Sequence, residues 1–218
     1  MRFAIDEKTT FDRFYSKESL SFGENPATEL RDFLLTIGYP GRALDLGAGD
    51  GRNALFLAGA GYDVTAVDLS QVGLDKLNRV AEMRGLADRM HTVCADVRDF
   101  VPSVESFDLV LAVTLFDHLP QEDVASVFSS ATVGLKDGGL LFAQSHTIDD
   151  PGNAGENDRA SELAPMIHHY FDHNELLRLV VDGFHVIWYQ ERPEEDHSHG
   201  KPHHHVFAKV LARKSQGR

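Results

Sequence analysis

Along the chain, short β-branched apolar runs alternate with longer stretches whose apolar residues recur at helical spacing. That alternation predicts an α/β fold in which a parallel sheet is covered by helices on both faces. The first strand is expected over 42–46, followed by a glycine-rich turn and a helix from about Arg52 to Ala60 that stops at Gly61. Tyr62 to Val67 reads as the second strand and closes on Asp68. Ser70 is placed to cap a helix carrying Val72, Leu74, Leu77 and Val80, with Gly85 at its end. Strands are also expected over 91–95, 107–114 and 140–145, the last after the turn Lys136 to Gly139, with a helix over 123–135. Asp172 followed by Glu175 forms a capping pattern before Leu176, Leu177, Leu179 and Val180, and Gly183 ends that helix. The runs 185–191 and 204–213, joined by a polar segment with Gly200 and Pro202, predict an antiparallel hairpin.

The polar stretch 147–167 reads as a long mobile loop, and 1–40 as an N-terminal cap on a single domain spanning 1–218. With 42% hydrophobic residues, the chain can bury a core without disulfides. No apolar run reaches the roughly 18 residues that a membrane span needs, and the first residues lack a secretory pattern, so a cytoplasmic protein is expected. The single cysteine, Cys94, lies among apolar neighbours and reads as a buried strand thiol. A formal charge of −13 argues against a general nucleic-acid binder, which leaves small molecules as the favoured substrates. Oligomeric state is not legible.

The strongest chemical pattern is Asp45-Leu-Gly47-Ala-Gly49-Asp-Gly51 at the junction of the first strand and helix. Glycines there let the backbone approach a ligand closely. The third glycine comes one residue earlier than in G-x-G-x-x-G, which disfavours a dinucleotide. Asp68, 17 residues after Gly51, and Asp96 after the third strand would bring further carboxylates to the same edge of the sheet. Each of the three aspartates alone could equally be a cap or a solvated surface group.

The run ALDLGAGDGRNALFLAGAGYDVTAVD resembles the start of the class I S-adenosylmethionine-dependent methyltransferases, and in particular the tellurite-resistance TehB-like family. Gly51-Arg52-Asn53, Gly61 to Val64 and the terminal strand near 207–214 carry the resemblance. It implies a Rossmann-like seven-stranded sheet of order 3-2-1-4-5-7-6 with the last strand antiparallel. It also implies S-adenosylmethionine as methyl donor and S-adenosylhomocysteine as product. By the same resemblance Gly47 and Gly49 contact the methionine portion, Asp68 the ribose, and Asp96 with Val97 the adenine, on which Leu69 packs. Asp45, Gly51, Arg52 and Thr114 complete the implied cofactor set.

Methyl transfer relies mainly on positioning, so few groups need react. His118, in Thr114-Leu-Phe-Asp-His-Leu-Pro, is the first candidate for a proton acceptor and His146 the second; a structural histidine bonded to backbone is the competing reading for both. Phe11, Phe14, Tyr15 and Phe22 read as lid aromatics or as plain core. Five of the twelve histidines fall between His197 and His205, with His203 and His205 on one strand face. Such a face could bind a metal, but an active-site wall or a solvated turn is the favoured reading, and no metal ligand is assigned. The histidines also depart from the arginines that the TehB resemblance implies in this hairpin, so a metalloid substrate is not carried over. The alternative function is a histidine-rich metal-binding or regulatory module on a non-catalytic methyltransferase fold.

Overall fold

A computed structural model describes residues 7–37, 40–154, 163–196 and 202–216. The strands form one sheet of order β3-β2-β1-β4-β5-β7-β6, and the chain divides into two compact units, Met1–Phe100 and Val101–Arg218.

The first unit contains α1 (Glu7–Tyr15), α2 (Thr28–Ile37), β1 (Arg42–Leu46), α3 (Arg52–Gly59), β2 (Asp63–Asp68), α4 (Gln71–Met83) and β3 (Met90–Cys94). β1 pairs with β2 and β2 with β3, all parallel, with Asp45 opposite Ala66 and Asp68 opposite Cys94. Leu44, Val64, Ala66 and Val67 on the strands and Leu57, Leu74 and Leu77 on the helices are fully buried. Together they form an apolar layer that gains about 25 cal/mol for each Å² withdrawn from water. The Ser70 side chain accepts the Gly73 amide at 3.1 Å and so caps α4 as expected. Cys94 departs from expectation: it is exposed, because it ends β3, the edge strand, where one flank has no neighbouring strand.

The second unit contains β4 (Phe107–Val113), α5 (Gln121–Gly134), β5 (Leu135–His146), α6 (Glu175–Val181), β6 (Phe184–Asp196) and β7 (His203–Lys214). β4 and β5 are parallel, whereas β7 runs antiparallel to both β5 and β6. β5 starts five residues earlier than expected. Phe107 pairs with Leu135 and Leu109 with Leu140, so the turn residues 136–139 are absorbed as an irregularity within the strand. β6 continues to Asp196 through Pro193, which an edge strand tolerates because its missing N–H faces no partner. The cap of α6 is Asn174 in the left-handed region rather than Asp172. Glu175 instead accepts the Asp172 amide at 2.8 Å, the returning half of a capping box.

The expected loop 147–167 is described only at its ends, and 155–162 lie outside the described residues. Thr147 N–H donates to the Val206 carbonyl and Ile148 N–H to that of Phe171, which fixes the first end. Among the described residues no helix is long and apolar enough to cross a membrane.

Candidate functional site

In the first unit Gly47, Gly49 and Gly51 adopt φ of 70°, 58° and 95°, the left-handed region that L side chains enter only with strain. Space is short as well. A Cβ on Gly51 would lie 2.2 Å from Leu77 Cδ1, and one on Gly49 would lie 2.7 Å from Tyr15 Oη. The Gly47 and Ala48 amides donate to the Val67 carbonyl, which ties the turn to the tip of β2. Leu69, the next residue but one, is half-buried and its carbonyl receives the Cys94 thiol at 3.5 Å.

Asp45 and Asp68 flank this turn and are 1% and 7% exposed. Asp68 Oδ2 accepts the Gly49 amide at 2.7 Å and its Oδ1 the Ser70 amide at 2.8 Å. Burial nonetheless pushes its carboxyl up to about 6, with the charges of Asp50 and Asp12 adding to the effect. Burial and then the Asp68 charge push Asp45 up to about 7 against the pull of Arg52 and of a hydrogen bond with the Ala54 backbone. Asp45 Oδ2 has no hydrogen-bond partner. An orphaned buried carboxylate oxygen beside a second carboxylate is unfavourable by roughly 1–3 kcal/mol and suits a ligand that brings positive charge and donor groups.

The other residues singled out from the sequence occupy different settings. Arg52, half-buried, lies over the Phe22 ring at 5.3 Å. Asp96 is engaged by Arg98, whose guanidinium binds it through Nε and Nη2 and holds its carboxyl below the usual range. Val97 is 8% exposed. Phe14 and Tyr15 are buried, and Phe14 packs on both Tyr15 and Phe22 with centroids 5.3 Å apart, while Phe11 stacks on Tyr15 at 6.2 Å. The Tyr15 hydroxyl is pushed far above its ordinary value by burial and by the charges of Asp68, Asp50 and Asp45.

The sequence reading missed what fastens the N-terminal segment. Asp50, 1% exposed, accepts the Ser21 amide at 2.6 Å and the buried Lys76 ammonium at 3.0 Å. Asn53 accepts the Ala27 amide at 3.0 Å. Asp50 lies inside the glycine motif and Asn53 in the Gly51-Arg52-Asn53 run that follows it, which was the available clue.

In the second unit Thr114 follows β4 at φ 51°, unusual for a β-branched residue, with its N–H donating to the Gln144 carbonyl. The next turn carries Asp117 and His118. His118 Nδ1 lies 2.9 Å from the Met166 carbonyl and must donate to it, which leaves Nε2 as the basic nitrogen. Burial lowers its pKa despite the nearby Asp117, and His146 and His168 lower it further. His146 at the end of β5 is paired through Nδ1 with Asp117, a residue wholly buried and also missed. Burial opposes charge on His146, but Asp117, with Asp150 and Asp196, raises its pKa overall. His203 and His205 are 8% and 3% exposed, so neither is part of a solvated turn, whereas His204 between them is exposed. His197 and His199 lie outside the described residues.

A parallel βα sheet finished by an antiparallel hairpin, with a glycine turn after its first strand, is the architecture of the class I S-adenosylmethionine-dependent methyltransferases, and the chain has that fold. Residues 43–139 match the family described as Methyltransferase domain. Over 181 residues the chain is 29% identical to the probable S-adenosyl-L-methionine-dependent methyltransferase TehB of Haemophilus influenzae (strain 10810), covering 80% of this chain and 58% of that protein. It thus spans less than two thirds of that relative's length. The crystal structure of TehB from Haemophilus influenzae superposes with a TM-score of 0.71 at 25% identity, covering 95% of this chain and 67% of that one. The Burkholderia thailandensis 1,6-didemethyltoxoflavin-N1-methyltransferase, solved with 1,6-didemethyltoxoflavin and S-adenosylhomocysteine bound, shares the fold at a TM-score of 0.64 and 18% identity, covering 96% and 80% of the two chains. The methyl donor of the class carries a sulfonium, an ammonium and ribose hydroxyls, and these match the unpartnered Asp45 oxygen and the two buried carboxylates.

Proposed function

We propose that this chain transfers a methyl group from S-adenosylmethionine to a small-molecule acceptor. The single observation that carries the cofactor half is the buried Asp45 and Asp68 pair around the glycine turn, with one Asp45 oxygen unpartnered. Asp45 with the backbone of Gly47 and Gly49 would hold the amino-acid end, and Asp68 would accept the ribose hydroxyls on lone pairs that Gly49 and Ser70 leave open. Gly51 and Arg52 shape the turn. Leu69, Val97 and the backbone near Asp96 would wall the adenine, the Asp96 carboxylate being engaged by Arg98. S-adenosylmethionine supplies an electrophilic methyl on a good leaving group, so the chain's own residues chiefly position, exclude water and take up a proton.

His118 is the proton acceptor in this reading. Burial favours its neutral form and the Met166 carbonyl fixes Nδ1 as the protonated nitrogen, which makes Nε2 the basic atom of the ring. His146, oriented by Asp117, supplies a second polar ring in the same unit, and Thr114 follows the neighbouring strand. A small acceptor agrees with the charge of −13 and with the bound 1,6-didemethyltoxoflavin of the Burkholderia thailandensis enzyme.

The test is calorimetric binding of S-adenosylmethionine, S-adenosylhomocysteine and NAD, followed by S-adenosylhomocysteine release against small thiols, phenols and amines, with tRNA as the competing acceptor. Binding of the sulfur nucleotides and turnover with a small acceptor is the expected result. His118→Ala should then lower kcat by about 10²–10⁴ at unchanged cofactor affinity. Because its pKa is lowered from the ordinary 6.5, the wild-type kcat/KM for the acceptor, measured at saturating S-adenosylmethionine, should be flat above that pH and fall only in acid. Binding of NAD alone, or methylation of tRNA alone, overturns the proposal.

A further inference from the structure

The methyl-transfer reading leaves the histidines at the start of β7 unused. Strand alternation turns His203 and His205 inward and His204 outward. Both nitrogens of His205 have defined neighbours: Nδ1 lies 3.0 Å from Asp150 Oδ2, and Nε2 lies 3.0 Å from Nε2 of His203. Asp150, 2% exposed, also accepts the Val206 amide at Oδ2 and the Gly152 amide at Oδ1, so it acts purely as an acceptor. His205 Nδ1 is therefore the donor of that pair, which turns its Nε2 toward the second imidazole. Asp196 is the cross-strand partner of His203. One ligand atom each from Asp196, His203 and His205 lie within 4.8 Å of one another.

We propose that Asp196, His203 and His205 bind a divalent transition-metal ion of the zinc class, with Asp150 as the outer carboxylate that orients His205. Two imidazoles and a carboxylate favour such ions over magnesium or calcium, which prefer all-oxygen sites. Two nitrogens on a tetrahedral zinc stand about 3.3 Å apart, so the 3.0 Å between the rings needs only a small adjustment to admit the ion. An outer carboxylate on the far nitrogen of a ligating histidine is the usual device for fixing its tautomer. The half-buried Asp196 leaves a route of entry, and three ligands leave positions for water or for a donor atom of a bound molecule. A neighbouring trio, His146, Asp150 and His205, also lies within 4.8 Å. It shares His205, but it would draw Asp150 out of its orienting role, and His146 has Nδ1 committed to Asp117.

The experiment is titration of the untagged, chelator-stripped chain with Co²⁺, followed by visible absorption, and with Zn²⁺ in competition. One equivalent with the absorption of four- or five-coordinate cobalt is expected. His203→Gln and Asp196→Asn should each weaken binding at least tenfold, and Asp150→Asn by about 10–100-fold. His204→Gln, on the outward face, should leave it unchanged, and so should His146→Gln. Zinc should raise the melting temperature of the wild type and not that of His203→Gln. No stoichiometric binding, or binding that survives His203→Gln, overturns the site. Loss of binding in His146→Gln with Asp196→Asn unaffected overturns this ligand set in favour of the neighbouring trio.

Discussion

Asp45 sits on a buried strand, two residues before the glycine turn begins, and its carboxylate is withdrawn from water. With its carboxyl at about 7, roughly half of the cofactor-free molecules carry a proton there at neutral pH. A cationic ligand returns the group to its charged form, so S-adenosylmethionine binding at pH 7 should release about half a proton. Calorimetry in two buffers of different ionisation enthalpy measures this directly. Asp45→Asn should abolish the release and weaken binding tenfold or more, and a buffer-independent enthalpy in the wild type would contradict the assignment. Gly51 makes a purely steric case. Gly51→Ala puts a Cβ 2.2 Å from Leu77 at a left-handed φ, and a loss of about 2–4 kcal/mol is expected from urea midpoints.

Among the elements, α4 does more than cover the sheet. Its Lys76 reaches both the Ser19 carbonyl and Asp50, while Asp12 of α1 accepts the Ser70 hydroxyl at 2.6 Å, so the N-terminal segment is held to the glycine turn by polar groups as well as aromatic packing. Lys76→Met would strand the Asp50 charge in a buried site, at a cost of about 3–5 kcal/mol in equilibrium unfolding. Hydrogen exchange at the Ser21 amide, which Asp50 accepts, should accelerate in the same variant. Adding Asp50→Asn should recover most of the loss, and strict additivity of the two changes would show that the pair is not coupled. The strands that the sequence placed well, β1 and β2, are short and bounded by glycine or aspartate. Those it misplaced, β5 and β6, extend through polar residues because a neighbouring strand supplies hydrogen bonds that no local pattern announces.

At the scale of the molecule, the buried carboxyls decide how stability follows pH. Asp45 and Asp68 are raised on folding, so their contribution is fully present below about pH 4 and is lost as pH rises through about 6–7. Asp117 and Glu194 are lowered, so theirs is present above about pH 4 and is lost in stronger acid. The cofactor-free chain should therefore melt highest near pH 5 and progressively lower toward pH 8, and saturating S-adenosylmethionine should flatten that decline; thermal melts across this range check both. The order of strands and helices, the glycine turn and the family resemblance were all legible in the sequence, because alternation, caps and left-handed glycines are local properties of the chain. The sequence also supplied Asp45, Asp68, His118 and His146 as candidates. It did not pair Asp50 with Lys76, Asp117 with His146, or Asp150 with His205, since those partners lie 26, 29 and 55 residues apart and meet only when strands and loops pack. Burial, tautomer and charge at each of these side chains follow from neighbours distant in sequence, and only the tertiary structure decides them.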